Sequence, residues 1–430
     1  MQKYPLFYLF LSDIFYFTIK KMEKIKILVI PSDTYGCGYY RSLKPHTKLS
    51  EMYEDDFDVD IKYEIDLSNV EELFKYDIIH FHKGLFDKLE LFRNCMTLCR
   101  EHGVTVIMDL DDHWDVGPYH PLYQTYKEQN IAEVTKTNLK YADYVTTTTQ
   151  DYAVEIAKIN PNVKVLPNAI DREEEQFISK PIPSKRLRFG FIMGSSHFHD
   201  MEMLRGMTNR LPIDIRDKVQ FVLCGFDMNG IIRYVDENGE IKQRPILPKE
   251  STWHKYENII TDDYKIVSPE YKEWLNRFIP NGVYEFEENE PYKRRWTKGI
   301  MSYCTHYNDI DVLLVPLDSN NFNAYKSELK LIEAGMMNKA VIASNFGPYK
   351  IGTINLFGKD GNINPEGNCI LIDRNKAHKD WAKAIEKLTK NPEYLEILRT
   401  NLHNSVKDKY DLVNVTRERA EWYKSILKRG

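Results

Sequence analysis

Lys326 and Ser327 stand where a polar stretch, begun at Asn323, gives way to the apolar-periodic run Leu329 to Met337, and a short apolar run from Ala340 to Ala343 follows. The spacing predicts a helix that starts at Lys326 and Ser327, carries Glu333 two turns along, and leads into a parallel strand buried on both faces. A helix start attracts phosphate because its free N–H groups carry partial positive charge, and a neighbouring Lys adds a full one. Gly194-Ser195-Ser196-His197 follows another predicted strand, and its backbone amides and hydroxyls could cradle an anion in the same way. Gly36-Cys-Gly-Tyr-Tyr-Arg41 follows the first strand. A third Gly at position 41 would complete a dinucleotide fingerprint, so Arg41 argues against a nicotinamide site. Gly36 and Gly38 still allow close approach of backbone to a sugar or phosphate, and Arg41 could clamp an anion.

Two further constellations carry chemistry. Asp77-Ile-Ile-His-Phe-His82 puts His80 and His82 on one side of a strand end, as ligand contacts or as ordinary satisfied histidines. Asp109-Leu-Asp-Asp-His-Trp-Asp115 concentrates four carboxylates at the end of an apolar strand. Three functional readings compete: a divalent-metal site of Asp-x-Asp type, a phosphatase nucleophile and acid pair, or an acceptor-binding loop in which Asp111, Asp112 or His113 hydrogen-bonds sugar hydroxyls. The mid-domain position of the strand and the lack of a phosphatase-like continuation favour the third, with a solvated acidic loop as the bland alternative.

The elements that must position these residues alternate short apolar strands with longer amphipathic stretches. Strands are expected at Ile25 to Pro31, Val59 to Ile65, Asp77 to Phe81, Val104 to Asp109, Tyr144 to Thr147 and Val163 to Leu166. After a proline-containing connection at Phe177 to Lys185, they resume at Leu187 to Met193, Val219 to Cys224, Val283 to Phe286, Val312 to Pro316, Ala340 to Ser344 and Cys369 to Ile372. Such alternation calls for parallel βα units. A chain of 430 residues exceeds what one core usually holds, so two α/β domains are expected, over 22–178 and 186–407. Residues 227–278 read as an insertion with a hairpin signal at Asn238-Gly239. Residues 1–21 are an aromatic extension: Tyr4 to Ile19 is too short to span a bilayer and is interrupted by Asp13. It reads either as sequence upstream of a true start at Met22 or as a short membrane-docking segment. A net charge of −5 argues against nonspecific nucleic-acid binding. Six scattered cysteines without metal-ligand spacing fit a reducing cytoplasm, with Cys95 and Cys99 as buried apolar residues. Arg294, Arg295 and Lys298 form a second basic cluster, with a solvated helix face as its plainer explanation.

The segment from Asn323 to Ser344 resembles the donor-binding corner of glycosyltransferases of the GT-B fold, in which two Rossmann-like domains face each other across a cleft, and in particular the family 4 retaining enzymes. Glu333-Ala334 matches the second of that family's two glutamates; Tyr325 falls where the first would stand, Asn338 on the family's Gly and Ala340 on its Pro. Asn338 suits a left-handed helix end, whereas Tyr325 cannot copy a carboxylate. The set Asn323, Lys326, Ser327, Lys330 and Glu333, with Ser196-His197 and Asp200-Met201, resembles a divergent branch found in bacterial and phage surface-glycan systems. Family 4's diphosphate-gripping Arg and Lys are missing from the Gly194 loop, which leaves Lys326 to supply the charge.

The resemblance implies a metal-independent, retaining transfer of a sugar from a nucleotide diphosphate donor to a hydroxyl acceptor, with no cofactor. It casts His82, Asp112 and Lys326 as catalytic. Donor contacts would come from Gly36, Gly38, Arg41, Gly194, Ser195, Ser196, His197, Lys326, Ser327, Glu333 and Gly347, with Glu333 on the ribose hydroxyls and Gly347 closing over the transferred sugar. Asp109, Asp111 and His113 would meet the acceptor. It further implies that 408–430 crosses back onto the first domain, that the acceptor is a glycan or lipid-linked glycan, and that the protein is cytoplasmic, either free or touching the inner face of the membrane. A sugar-nucleotide epimerase of the same fold and a catalytically silent nucleotide-sugar binder are the rival readings.

Overall fold

The computed structural model describes residues 23–83, 89–373 and 377–427, so the aromatic extension at 1–21 lies outside the described residues. Six strands, β1 (Ile25–Ile30), β2 (Phe57–Ile61), β3 (Ile78–His82), β4 (Thr105–Leu110), β5 (Tyr144–Thr147) and β6 (Val163–Val165), form a parallel sheet in the order β2-β1-β3-β4-β5-β6. Successive side chains on a strand face opposite ways, so an unbroken apolar run serves two cores at once. Leu28, Ile30, Ile79, Phe81, Val106 and Met108 pack with Phe92, Met96 and Cys99 of the helix Leu89–Glu101. Ile27, Val29, Ile78 and Ile107 pack on the other face with Leu49 and with Ala420 and Tyr423 of the last helix, Leu412–Leu427. That helix therefore completes the core of the first sheet, and the Tyr423 hydroxyl meets Nε2 of buried His46 at 2.8 Å.

The chain then builds β7 (Leu187–Ile192), β8 (Val219–Phe226), the antiparallel pair β9 (Ile231–Val235) and β10 (Ile241–Pro245), β11 (Tyr292–Trp296), β12 (Val312–Val315), β13 (Ala340–Ser344) and β14 (Ile370–Ile372). The second parallel sheet has the order β11-β8-β7-β12-β13-β14. The turn between β9 and β10 uses Gly239 at φ +81°, the left-handed backbone its sequence signalled. In each sheet the strand order reverses beside the first strand laid down, next to β1 and next to β7, and crevices open at the carboxyl ends of the strands there. The architecture is α/β, two facing Rossmann-like domains with a cleft between them.

One expected strand is displaced. Val283 and Phe286 are 75% and 56% exposed in irregular chain, and the edge strand is β11, whose sequence Tyr-Lys-Arg-Arg-Trp hides its burial behind charge. Arg294 is buried against Glu257 at 2.6 Å, and Arg295 pairs with Glu287 at 2.5 Å and with Asp309. Arg294 and Arg295 of the expected solvated basic helix face are thus on a strand and neutralised by acids outside it, while Lys298 lies beyond the strand and is exposed. All six cysteines are free, and Cys95 and Cys99 are buried. Among the described residues no helix is long and apolar enough to cross a membrane.

Backbone packing behind the site is tight at Gly190 on β7, where an added Cβ would lie 2.3 Å from Ile310 Cγ2. Gly190→Ala is expected to destabilise the protein by about 1–3 kcal/mol through overpacking. The check is a lower urea midpoint at unchanged slope; an unchanged midpoint would mean that the loop carrying Ile310 yields freely.

Candidate functional site

A cavity of about 570 Å³ lies between the carboxyl ends of the two sheets. The first half contributes the loop after β1 (Tyr35, Gly36, Cys37, Tyr40, Arg41), the loop after β4 (Asp111, Asp112) and Asn168 beyond β6. The second contributes Met193, Gly194 and His197 after β7, Cys224 and Gly225 at the end of β8, Thr297, Lys298 and Ile300 after β11, and Lys326 to Glu333 after β12.

On the first wall, Lys83 Nζ lies 3.0 Å from both Asp111 and Asp112. Burial alone would push the Asp111 carboxyl up, but Lys83 and His82 hold it well below the usual carboxylate range. The two acids raise the Lys83 ammonium well above its ordinary value despite its burial. Cys37, Asp111 and Asp112 are close enough together to share a metal ion. Lys83 already supplies the positive charge there, and burial, with Asp111 adding, pushes the Cys37 thiol well up, away from the thiolate a metal prefers. His82, expected at the chemistry, is behind it: Nε2 bonds Asp111 at 3.0 Å, Nδ1 meets Ser32 Oγ at 2.7 Å, and the residue is buried outside the cavity lining. It orients Asp111.

On the second wall the helix runs Leu329–Met336 with Glu328 at its N-cap, so Lys326 and Ser327 precede the helix rather than open it. Asn338 ends this unit at φ +55°, as expected of Asn in a left-handed position. The Gly194 loop is tied to the same corner through Asp200, which accepts from the Asp318 amide at 2.6 Å and the Asn323 amide side chain at 3.0 Å while its other oxygen pairs with His197 at 2.6 Å. Lys326 has no carboxylate partner among the described residues; its ammonium sits 4.6 Å from the Phe322 ring centroid. Glu333 is fully buried at the cavity wall, accepting from Tyr303, from Tyr307 at 2.9 Å and from Lys330 at 2.8 Å, with the Tyr40 hydroxyl 3.4 Å away. Tyr40 comes from the first half and meets the Tyr303 hydroxyl at 2.5 Å, so this carboxylate sits at a junction of the two halves. Burial, reinforced by Glu333, raises Tyr303 and Tyr307 well above the usual phenol range and keeps them hydrogen-bond donors.

Several expected contacts are placed elsewhere. Arg41 borders the cavity but points inward: it forms a two-pronged pair with Asp109 at 2.9 and 2.7 Å and donates to the Leu166 carbonyl at 2.7 Å and Asn168 at 3.1 Å. Its guanidinium is spent within the fold, and Asp109, expected to meet an acceptor, is wholly buried beneath it. His113 is buried in a stack between Trp114 and Tyr325, with ring centroids 4.4 and 4.8 Å away. Tyr325, in the place of the family's first Glu, reaches across to donate to Glu155 at 3.1 Å, outside the cavity lining. Gly38 serves its own chain, since a Cβ there would meet the Asp33 carbonyl oxygen at 1.9 Å. Gly347 packs against the Asn323 carbonyl, and Tyr349 is the residue of that turn that faces the cavity. Ser195 and Ser196 are exposed beside Gly194 and are not part of the lining. Gly36, Asp111, Asp112, Gly194, His197, Lys326, Ser327 and Glu333 do come together around it.

Sequence reasoning missed Lys83, Tyr40, Tyr303, Trp253 and His306 as site residues. A lone aromatic or Lys carries no spacing signal, and only the fold gathers them. The expectation for Lys298 is resolved differently from its neighbours: it alone of the second basic cluster borders the cavity.

A scan of protein-family models and a search of curated protein sequences return no match. Solved structures do match over nearly the whole chain. HepE of Anabaena in complex with UDP and glucose superposes with a TM-score of 0.60 at 11% identity, covering 93% of this chain and 100% of its own. Sucrose-phosphate synthase of Thermosynechococcus elongatus gives 0.60 at 13% identity over 95% of this chain and 100% of its own. A protein described as a UDP-N-acetylglucosamine 2-epimerase, from Listeria monocytogenes, gives 0.52 at 11% identity over 95% and 98%. At these identities the likeness establishes the GT-B fold.

Proposed function

We propose that this protein is a glycosyltransferase that moves a sugar from a nucleotide diphosphate donor to a hydroxyl acceptor, without a metal cofactor and with retention, in the assembly of a surface glycan. The observation that carries the reading is the convergence, on one cavity at the switch point of the second sheet, of an open Gly194 loop and the Lys326 ammonium, which has no acid partner among the described residues. An added Cβ at Gly194 would meet nothing within 4 Å, so a diphosphate can approach its backbone. Lys326 and the loop amides would stabilise the charge that develops on the leaving diphosphate. One neighbour of the fold, HepE, is known in complex with UDP-glucose, and another is described as a UDP-N-acetylglucosamine 2-epimerase, which supports a nucleotide-sugar donor.

Glu333 fits the ribose. Its oxygens already accept from phenols, and ribose hydroxyls would take over positions held by Tyr303 and Tyr40, exchanging one hydroxyl donor for another. Asp111 and Asp112, fixed by Lys83 and His82 on the opposite wall, face the side from which an acceptor hydroxyl would enter. Asp112 has one oxygen committed to Lys83 and is the candidate for the acceptor proton. The epimerase reading needs an acid and a base flanking the donor sugar, and Tyr325, in the matching position, points away from the cavity.

The test is release of nucleotide diphosphate from UDP-, GDP- and dTDP-sugars with and without EDTA. Release from one donor is expected to survive EDTA, and Glu333→Gln is expected to weaken that donor's binding about 10- to 100-fold, the equivalent of one charged hydrogen bond. Conversion of the sugar nucleotide to its epimer, without transfer, would replace this reading with the rival one. Release unaffected by Glu333→Gln would remove Glu333 from the ribose.

A further inference from the structure

Tyr325 belongs to the second half by chain and to the first by packing. It ends the short helix Asn321–Ala324, whose Asn323 is tied to the Gly194 corner through Asp200, yet its ring packs against the core of the first sheet. There it stacks on His113 with ring centroids 4.8 Å apart and planes 21° from parallel, and lies 5.5 Å from the ring of Tyr152. Tyr152 is wholly buried, and its hydroxyl donates to the backbone carbonyl of Asp112 at 2.6 Å. The Tyr325 hydroxyl reaches Glu155 at 3.1 Å, but that carboxylate is also held by Lys158 at 2.5 Å, so the ring is the firmer anchor.

Neither Tyr325 nor His113 lines the cavity, whereas the chain neighbour of each does: Lys326 follows Tyr325, and Asp112 precedes His113. The stack therefore joins, one residue back from the cavity, the segment carrying the leaving-group cation to the segment carrying the candidate for the acceptor proton. Lys326 depends on such a brace, since it precedes its helix and has no acid partner among the described residues. Asn168 adds a hydrogen bond to Ser327 Oγ at 3.0 Å on the other side of it. Asp112 also stands on irregular chain, past the end of β4, with its carbonyl held by Tyr152 and its carboxylate by Lys83. Catalysis by prearranged groups is sensitive to displacement, and a misplacement of about 1 Å costs on the order of 10²-fold.

We propose that Tyr325 is a positioning residue: seated on His113 and Tyr152 of the opposite half, it sets the place of Lys326 relative to Asp112 across the cleft, and so the alignment of leaving group and acceptor. At the position where family 4 carries a Glu, this chain faces the opposite half instead of the donor. The inference rests on the transferase reading, in which Lys326 and Asp112 hold those roles.

Rates of nucleotide diphosphate release from the preferred donor, with water in place of the acceptor, and calorimetric affinities for that nucleotide diphosphate test it. Tyr325→Ala is expected to lower the rate on the order of 10²-fold while nucleotide affinity stays within about twofold. Tyr325→Phe, which keeps the ring and loses the hydroxyl, is expected to restore most of the rate. Tyr325→Glu is expected to be as slow as Tyr325→Ala, because it meets Glu155 with like charge. In a Lys326→Ala background the Tyr325→Ala loss is expected to shrink to within about threefold, since the group it places is gone. Thermal melts establish that the variants are folded. Tyr325→Phe as slow as Tyr325→Ala, a rate raised by Tyr325→Glu, a loss matched by weaker nucleotide binding, or a full loss persisting without Lys326 would each overturn the role of Tyr325 and leave the transferase reading intact. No release from any donor by the unaltered protein would overturn that reading and this inference with it.

Discussion

Arg41→Ala is expected to cost about 3–5 kcal/mol of folding stability, because it strands the Asp109 carboxylate in the core without its partner. The guanidinium ties three strand ends together: it comes from the loop after β1, pairs with Asp109 on β4, and donates to Leu166 and Asn168 just beyond β6. Asn168 in turn donates to Ser327 Oγ at 3.0 Å, so the pair also sets one contact across the cleft. Arg41→Met with Asp109→Leu removes both charges together and is expected to lose much less, since no buried charge is left unpaired. The pH dependence has a definite sign. Burial would raise Asp109, but Arg41 more than offsets it and the folded-state pKa lies below the ordinary value. The pair's contribution is therefore present above the unfolded-state pKa, near about 4, and is lost as pH falls through the lower folded value. In Arg41→Ala burial acts on Asp109 with only the Thr146 hydroxyl and nearby His82 against it, so the deficit is largest at neutral pH and shrinks on acidification. Urea titrations of the three proteins at pH 7 and pH 4 check this. A loss in Arg41→Ala no larger than in the double variant would mean that the pair does not hold the loop.

The same residue marks where sequence reading stops. Gly36-Cys-Gly-Tyr-Tyr-Arg41 announces a special loop, yet whether Arg41 faces a ligand or the core depends on Asp109, which is 68 residues away. The parallel strands were legible because a strand buried on both faces must be apolar along its length, as in β1, β12 and β13. β11 escaped because its burial is bought with ion pairs to Glu257, Glu287 and Asp309, whose partnership no local pattern encodes. Glu333 was found through resemblance to a family motif, but its setting was not. The phenols that hold it come from Tyr303 and Tyr307 in a short 3₁₀ stretch, and Tyr40 approaches from the opposite half. His82 was expected to be catalytic and Asp111 to meet the acceptor, and only the geometry separates the group at the cavity from the one that holds it in place.

Lys326→Ala is expected to lower turnover by about 10²- to 10³-fold, equivalent to about 2.7–4 kcal/mol of charge stabilisation in the transition state. Lys326 and Arg41 both border the cavity, and their surroundings assign them opposite work. Arg41 has its charge cancelled and its hydrogen bonds taken by the fold, whereas Lys326 is half-exposed, rests on Phe322 and has no acid partner among the described residues. Loss of Lys326 therefore leaves no buried group unpaired, and its effect on the urea midpoint is expected to stay within about 0.5 kcal/mol. If its charge acts mainly on the departing diphosphate, kcat and kcat/KM fall together while the nucleotide-sugar dissociation constant changes little. Lys326→Arg keeps the charge but spreads it over a planar fork, so a partial recovery is expected, short of the wild-type rate. A variant that loses donor affinity with kcat unchanged would move Lys326 from the leaving group to ground-state binding. Retention of full activity in Lys326→Ala would leave the Gly194 loop with Lys298 or Lys330 as its cation, and Lys330 is already paired with Glu333.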